Sequence, residues 1–204
     1  MAPQFILAST SPRRVDLLQQ LGMSFAVRAP NADESPKRGE RPRALVGRLA
    51  RTKAESVVLP SLQEFDSVLI IAADTIVVSP RNQILGKPRT AKEARQMLAS
   101  LAGKTHTVLT GYCVVSAVRG EKSKSISRVI SSRVTMRSLT KKAIVDYVAS
   151  GEPMDKAGSY AAQGLGMALI ESIRGSYANV VGLPVAQLVF DLEKHFDTPI
   201  FGWK

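Results

Sequence analysis

The chain has one cysteine, Cys113, and two histidines, His106 and His195, among its 204 residues. An intramolecular disulfide is therefore impossible, and the usual Cys/His zinc site is excluded. Cys113 lies in the apolar stretch Tyr112-Cys-Val-Val-Ser-Ala-Val, with nothing local to lower its pKa. It reads as a core residue rather than a nucleophile. The longest aliphatic run, Val68 to Ala73, is far short of the ~20 residues that span a bilayer. The opening Met1-Ala-Pro-Gln-Phe-Ile-Leu-Ala lacks the basic segment of a secretory signal, so the expected location is the cytoplasm. GxxxxGK[ST], GxSxG and HExxH are all absent, and neither histidine stands in a context that suggests a Ser-His-Asp triad. Aromatics make up only 5% of the chain and do not interleave with its basic runs. That removes a stacking platform for single strands, and nucleic acid is not the expected partner.

Basic charge is in excess: 28 Lys and Arg against 17 Asp and Glu, a formal net charge of +11. Such a chain attracts polyanions, among them nucleotides. The excess is clustered. Lys37, Arg38, Arg41, Arg43, Arg48, Arg51 and Lys53 stand against Glu40 alone. A second run holds Arg119, Lys122, Lys124, Arg128, Arg133, Arg137, Lys141 and Lys142 against Glu121. For most of these positions the ordinary reading is a solvated helix face or basic loop.

The local patterns alternate between strand and helix. Residues 4–8 read as a buried strand, and Ser11-Pro12 opens a helix that Gly22 stops. A short strand follows over 24–28, then a Pro- and Gly-containing loop over 29–42. The stripe Leu45, Val46, Leu49, Ala50, Ala54 and Val57 predicts a helix over 43–58. Residues 68–78 read as a buried strand and Gly86-Lys87-Pro88 as a turn. Thr90 and Glu93 form a capping box before a helix closed by Gly103. Two long strands are predicted over 105–118 and 126–139, around a polar loop over 119–125 that carries no functional reading. Thr140 caps a helix ended by Gly151, and residues 152–166 read as irregular. A strand over 167–173, a loop over 174–184 and a helix over 185–196 complete the pattern. The expected class is α/β with a mixed sheet, organised as a single domain over residues 1–204.

Several groups could carry chemistry. Ser9-Thr-Ser-Pro-Arg13-Arg14 sits where a strand breaks into a helix. Free N–H groups, hydroxyls and guanidiniums there suit a phosphate, although a plain helix start with solvated arginines fits equally. Asp74 interrupts an aliphatic strand, so it must be paired, hydrogen-bonded, metal-bound or near the strand end. Functionally it reads as a general base or metal ligand at the carboxyl end of a strand. Lys53 falls on the apolar stripe of its helix, where it can snorkel or point inward to neutralise phosphate. Lys87 is a cation on a rigid turn. The segment Asp155-Lys-Ala-Gly158-Ser-Tyr-Ala-Ala-Gln163-Gly-Leu-Gly166 lets a backbone approach a ligand closely, or is simply a surface loop. Glu34 adds a carboxylate just before the first basic cluster. Carboxylates among many cations, without Cys or His, suit a hard cation such as Mg²⁺ on a polyphosphate.

In order and spacing, these segments resemble the Maf family of nucleoside triphosphate pyrophosphatases, once described as septum-formation inhibitors. The matching pieces are Leu-Ala-Ser9-Thr-Ser-Pro-Arg13-Arg14, Arg48-Leu-Ala-Arg-Thr-Lys53-Ala, Ala-Ala-Asp74-Thr75, Gly86-Lys87-Pro88, Asp155-Lys-Ala-Gly158-Ser-Tyr, Gln163-Gly-Leu-Gly166 and Asn179-Val-Val-Gly-Leu-Pro184. The resemblance implies an inosine-triphosphatase-like α/β fold, an elongated mixed sheet flanked by helices with a central cleft. It implies cleavage between the α and β phosphates with a divalent metal (Mg²⁺, Mn²⁺ or Co²⁺), giving a monophosphate and pyrophosphate, as in nucleotide-pool house-cleaning. It makes Asp74 the proton acceptor and metal ligand with Glu34, and gives Lys53 and Lys87 catalytic positions. Ser9, Arg13, Arg14, Thr75, Asp155 and Gln163 become substrate-binding residues. Arg13, Thr75 and Gln163 match the dTTP/UTP branch rather than the 7-methyl-GTP branch, which usually has Trp, Gln and Glu there. A glutamine amide can both donate to and accept from a pyrimidine edge. Family members are often homodimers. Two alternatives stand beside this reading: a methylated or broader nucleotide substrate, and a non-catalytic basic protein acting on nucleic acid or the division machinery.

Overall fold

The computed structural model describes residues 3–199; the opening Met1-Ala2 of the N-terminal reading and residues 200–204 lie outside it. Strand β1 (Gln4–Ala8) leads into helix α1 (Pro12–Gln20), whose Pro12 supplies the fixed φ of a first helical turn. Gly22, at φ +72°, donates its N–H to the Gln19 carbonyl at 2.8 Å and stops the helix. Strand β2 (Ala26–Arg28) then pairs parallel with β1, Ile6 opposite Ala26.

Helix α2 (Pro42–Ser56) starts and stops close to the predicted bounds, but a further short helix, α3 (Val58–Glu64), follows it. Strand β3 (Ser67–Val78) pairs parallel with β1 and antiparallel with β4 (Ile84–Leu85). Thr90 caps α4 (Ala91–Leu101) by accepting the Glu93 N–H, while Glu93 returns a bond to the Arg89 N–H. Strands β5 (Thr105–Val118) and β6 (Lys124–Met136) follow. Strand β6 begins inside the segment predicted as loop. Lys124 is held there by the His195 carbonyl and by the Phe196 ring, 5.4 Å from its ammonium.

Helix α5 (Lys141–Ala149) is capped by Thr140. Residues 152–166 are more regular than predicted: they form 3-10 turns over Glu152–Asp155, Ala157–Ser159 and Gly164–Leu169. Strand β7 (Ile170–Arg174) pairs antiparallel with β6, and the predicted loop after it contains a short helix, α6 (Tyr177–Val181). Helix α7 (Val185–Phe196) matches its predicted bounds. The strand order is β2-β1-β3-β5-β6-β7 with β4 on β3, a mixed sheet as expected.

The chain divides into two compact units. The first takes Met1–Asp74, Thr110–Val129 and Gly182–Lys204; the second takes Thr75–Leu109 and Ile130–Val181. The core of the first is built from Ile6, Ala8, Ala50, Ala54, Val68, Ile70, Ala72, Cys113 and Val115. Cys113 is thus a core residue, and burial pushes its thiol up to about 11. The second core gathers Leu98, Leu101, Val108, Val134, Met136, Ile144, Tyr147 and Tyr160. Among the described residues, no helix is long and apolar enough to cross a membrane.

Candidate functional site

In the first unit, the break between β1 and α1 places Ser9 under the start of the helix, where it is 4% exposed. Its Oγ accepts the Ser11 N–H at 3.2 Å and the Arg14 Nη1–H at 3.1 Å. Ser11 makes no side-chain cap, so Ser9 supplies the hydroxyl at this helix start. The Arg14 Nε–H is anchored on the Gly182 carbonyl at 2.9 Å. Burial lowers the pKa of the Arg14 guanidinium; Asp74 opposes that, Arg13 adds to it, and Glu34 opposes it again. These charges therefore share one electrostatic neighbourhood.

Lys53 settles the choice between snorkelling and pointing inward. It is 6% exposed, and its ammonium donates to Asp74 Oδ1 at 2.6 Å and to Glu34 Oε2 at 2.8 Å. The carboxylate in the aliphatic strand is therefore charge-paired, as burial requires. Strand β3 runs to Val78, as its apolar pattern predicts, so Asp74 does not stand at the carboxyl end of a strand as its functional reading placed it. The carboxylate sits in the middle of a strand, and the Lys53 ammonium rather than free terminal amides satisfies it.

Glu34 comes from the irregular stretch between β2 and α2, and its side chain is 59% exposed. That stretch is pinned by a bidentate pair. Arg48 Nε–H donates to Glu40 Oε1 at 2.7 Å and Nη2–H to Oε2 at 2.8 Å, with a further bond from Nη2–H to the Ser35 carbonyl at 3.0 Å. Arg48 holds the Glu40 carboxyl down to about 2. Beneath α2, Gly111 of β5 lets the helix backbone come close: a Cβ there would lie 2.4 Å from the Val46 oxygen. Sequence reasoning did not single out Gly111 or the Arg48–Glu40 brace.

The other expected site residues belong to the second unit. Thr75 directly follows Asp74 on β3 and is partly buried. Lys87 is exposed on the turn after β4, and the carbonyl of Gly86 beside it accepts the Gly158 N–H at 3.0 Å. Gly158, at φ +71°, packs its Cα where a Cβ would meet Val77 Cγ1 at 2.9 Å, so this is a built segment and not a loose surface loop. Asp155 is exposed and ion-pairs with Lys156. Gln163 is half-buried in extended backbone (φ −127°, ψ 167°). Within the units, then, Ser9 joins Arg14, Lys53 joins Glu34 and Asp74, and the Lys87 turn joins the Gly158 turn.

The arrangement in the first unit can do two things. A buried carboxylate beside ammonium and guanidinium groups can take a proton from water while those cations hold anionic oxygens. Glu34 and Asp74 also offer two hard oxygen donors, both bonded to the Lys53 ammonium. Among the described residues, no three or more His, Cys, Asp or Glu side chains converge as a metal-binding group. Mg²⁺ is commonly held by one or two carboxylates, with substrate phosphates and water completing its shell. The donor pair fits a cation that arrives with a polyphosphate.

A protein named dTTP/UTP pyrophosphatase from Anaeromyxobacter sp. (strain Fw109-5) is 48% identical over 187 residues, covering 92% of this chain and 87% of that one. Another of the same name from Desulforamulus reducens is 47% identical over 186 residues, covering 90% and 92%. Among solved structures, the Staphylococcus aureus Ham1 protein aligns over 94% of this chain and 100% of that one, with 12% identity and a TM-score of 0.45. A family model described as Maf-like protein matches residues 4–195, and this chain belongs to the Maf family.

Proposed function

We propose that the protein hydrolyses nucleoside triphosphates to a monophosphate and pyrophosphate, with UTP and dTTP as its preferred substrates. The observation that carries this reading is the Lys53–Asp74–Glu34 cluster, in a chain 48% identical to a relative named for that activity. In this reading the Asp74 carboxylate accepts the proton of the attacking water at an Oδ atom. The Lys53 ammonium, bonded to Asp74 Oδ1 and Glu34 Oε2, orients that carboxylate and brings positive charge for the phosphate oxygens. Ser9, Arg13 and Arg14 take phosphate oxygens at the start of α1. Lys87 neutralises the pyrophosphate leaving group, and Asp155 lies with Lys156 beside it in sequence. Hydrolysis of this type is mainly positioning and charge stabilisation, which so many cations suit.

Glu34 and Asp74 would hold the divalent cation, Mg²⁺ or Mn²⁺, which supplies charge withdrawal from the phosphate oxygens and a more acidic bound water. Arg13, Thr75 and Gln163 favour the pyrimidine: Gln163 donates to a ring carbonyl and accepts from N3–H. House-cleaning of the nucleotide pool in the cytoplasm is the role this chemistry fits. A panel of nucleoside triphosphates with added Mg²⁺ tests the reading. Pyrophosphate should appear fastest from UTP and dTTP, and EDTA should abolish it. A higher kcat/KM for 7-methyl-GTP would overturn the substrate assignment, and undiminished turnover in excess EDTA would overturn the metal.

A further inference from the structure

The backbone on either side of Gln163 is tied to the side chains of Glu152, Tyr147 and Tyr177. The Tyr147 Oη–H donates to Glu152 Oε1 at 2.8 Å. The same carboxylate accepts the Gly166 N–H on Oε1 at 2.8 Å and the Leu165 N–H on Oε2 at 2.9 Å. Ahead of Gln163, the Ala161 N–H donates to Tyr147 Oη at 3.2 Å, and the Ala162 carbonyl accepts from Tyr177 Oη at 2.9 Å. The approach is too close for any side chain but hydrogen. A Cβ on Gly164, at φ +63°, would lie 2.4 Å from Glu152 Oε2, and one on Gly166 would lie 2.2 Å from the Ala161 carbonyl oxygen.

A glutamine has three rotatable side-chain bonds and reads a base only if its own backbone is fixed. Here the fixing group is a carboxylate that collects three hydrogen bonds, one from a hydroxyl and two from backbone amides. Those contacts hold Glu152 ionised against the penalty of burial.

We propose that Glu152 and Tyr147 are positioning residues that shape the 161–166 segment around Gln163 and thereby set the selectivity for the base. The inference rests on the reading of Gln163 as the base-reading residue. Its specific chemistry is the acceptor-only character of the carboxylate. In Glu152→Gln one oxygen becomes an NH₂ group. Whichever way the amide turns, a donor then faces the N–H of Leu165 or of Gly166.

The experiment measures kcat/KM for UTP and for GTP in the wild type, Glu152→Gln, Tyr147→Phe, Gln163→Ala and the double variant Glu152→Gln/Gln163→Ala. Amide exchange at Leu165 and Gly166 is followed in each protein. The wild type should prefer UTP. Glu152→Gln should lower the UTP/GTP ratio by at least about tenfold, and Tyr147→Phe should shift it the same way by less. Exchange at both amides should quicken in both variants. In the Gln163→Ala background, Glu152→Gln should move the ratio by less than about threefold, because its effect runs through Gln163. A merely structural hub would lower the melting point and turnover on both nucleotides while keeping the ratio, and that result overturns the proposal. Full additivity with Gln163→Ala, or unchanged exchange at both amides, overturns it too. Should Glu152→Gln fail to fold, Tyr147→Phe decides by the same ratio, being a deletion of one hydroxyl. A wild type with no preference for UTP overturns the reading of Gln163, and this inference with it, before any variant is compared.

Discussion

The two units satisfy their buried polar groups by different means. In the first, carboxylates are met by cations: Asp74 by Lys53 at 2.6 Å, and the fully buried Asp191 by a bidentate Arg128 at 2.6 and 2.8 Å. Tyr112 adds a hydroxyl bond to Asp191 at 2.6 Å. In the second, hydroxyls, amides and a neutral imidazole do most of the same task. Tyr147 bonds Glu152, His106 Nε2 lies 2.7 Å from Tyr160 Oη, and the Asn179 amide donates to Ser132 Oγ at 2.9 Å. Charge pairs suit a site that must bind phosphate and move a proton. Directional bonds from hydroxyls and amides suit a segment that must hold one shape. On the proposed reading, the proton acceptor Asp74 stands among the charge pairs of the first unit and the base-reading Gln163 among the directional bonds of the second.

The largest expected effect is at Asp74. Asp74→Asn should lower turnover by at least ~100-fold, measured as pyrophosphate release, because the proton acceptor is gone. Its stability effect sharpens the comparison. An unpaired carboxylate in an aliphatic strand would gain stability as its amide, because an amide is cheaper to bury. The Lys53 bond reverses that sign, since removing one partner of a buried pair strands the other charge. Glu34 and the Asn carbonyl relieve part of the cost, so a loss of about 1–3 kcal/mol is expected by thermal melting.

The next effect is in the second unit. Gln163→Glu should reduce kcat/KM for UTP by about tenfold to a hundredfold, because a carboxylate cannot donate to a pyrimidine carbonyl. Steady-state kinetics should show UTP and dTTP falling together.

A smaller effect comes from pH. Burial pulls His106 down to about 4, against 6.5 in the unfolded chain. Between these values the unfolded state binds more protons, so stability rises with pH across the window and is lost as pH falls from 6.5 toward 4. The loss is about 3 kcal/mol at most. Glu40 and Asp191 of the first unit respond later: Glu40 keeps its charge down to about 2, and Arg128 and Tyr112 hold the Asp191 carboxyl low against burial. Amide exchange at pH 5 should therefore quicken first around β5 near His106. His106→Gln should flatten the melting curve between pH 7 and pH 4. Equal acid sensitivity in both units would break the comparison.

Much of this was legible because local rules and tertiary packing agree. The bounds of β1, α1, α2, β3, α4 and α7 follow from apolar period, Pro12, Thr90 and the positive-φ glycines. Asp74 and Lys53 announced themselves by being charged on apolar faces, and each turned out to be the other's partner. What stayed hidden depends on contacts distant in the chain. The close approach of Gly111 to Val46 leaves no local mark, since any strand glycine looks alike. Glu152 reads as one more polar residue of an irregular stretch. Its only trace is that the amides of Leu165 and Gly166 need an acceptor that their own segment does not supply. Helices α3 and α6 were missed because each is too short to show a period.

The most direct test of the account is to identify the products from UTP. Purified protein, UTP and Mg²⁺ are incubated and the mixture is resolved by anion-exchange chromatography. The account predicts UMP and pyrophosphate in equal amounts from the wild type, and neither above background from Asp74→Asn. UDP with orthophosphate, or UMP and pyrophosphate formed as fast by Asp74→Asn as by the wild type, would contradict it.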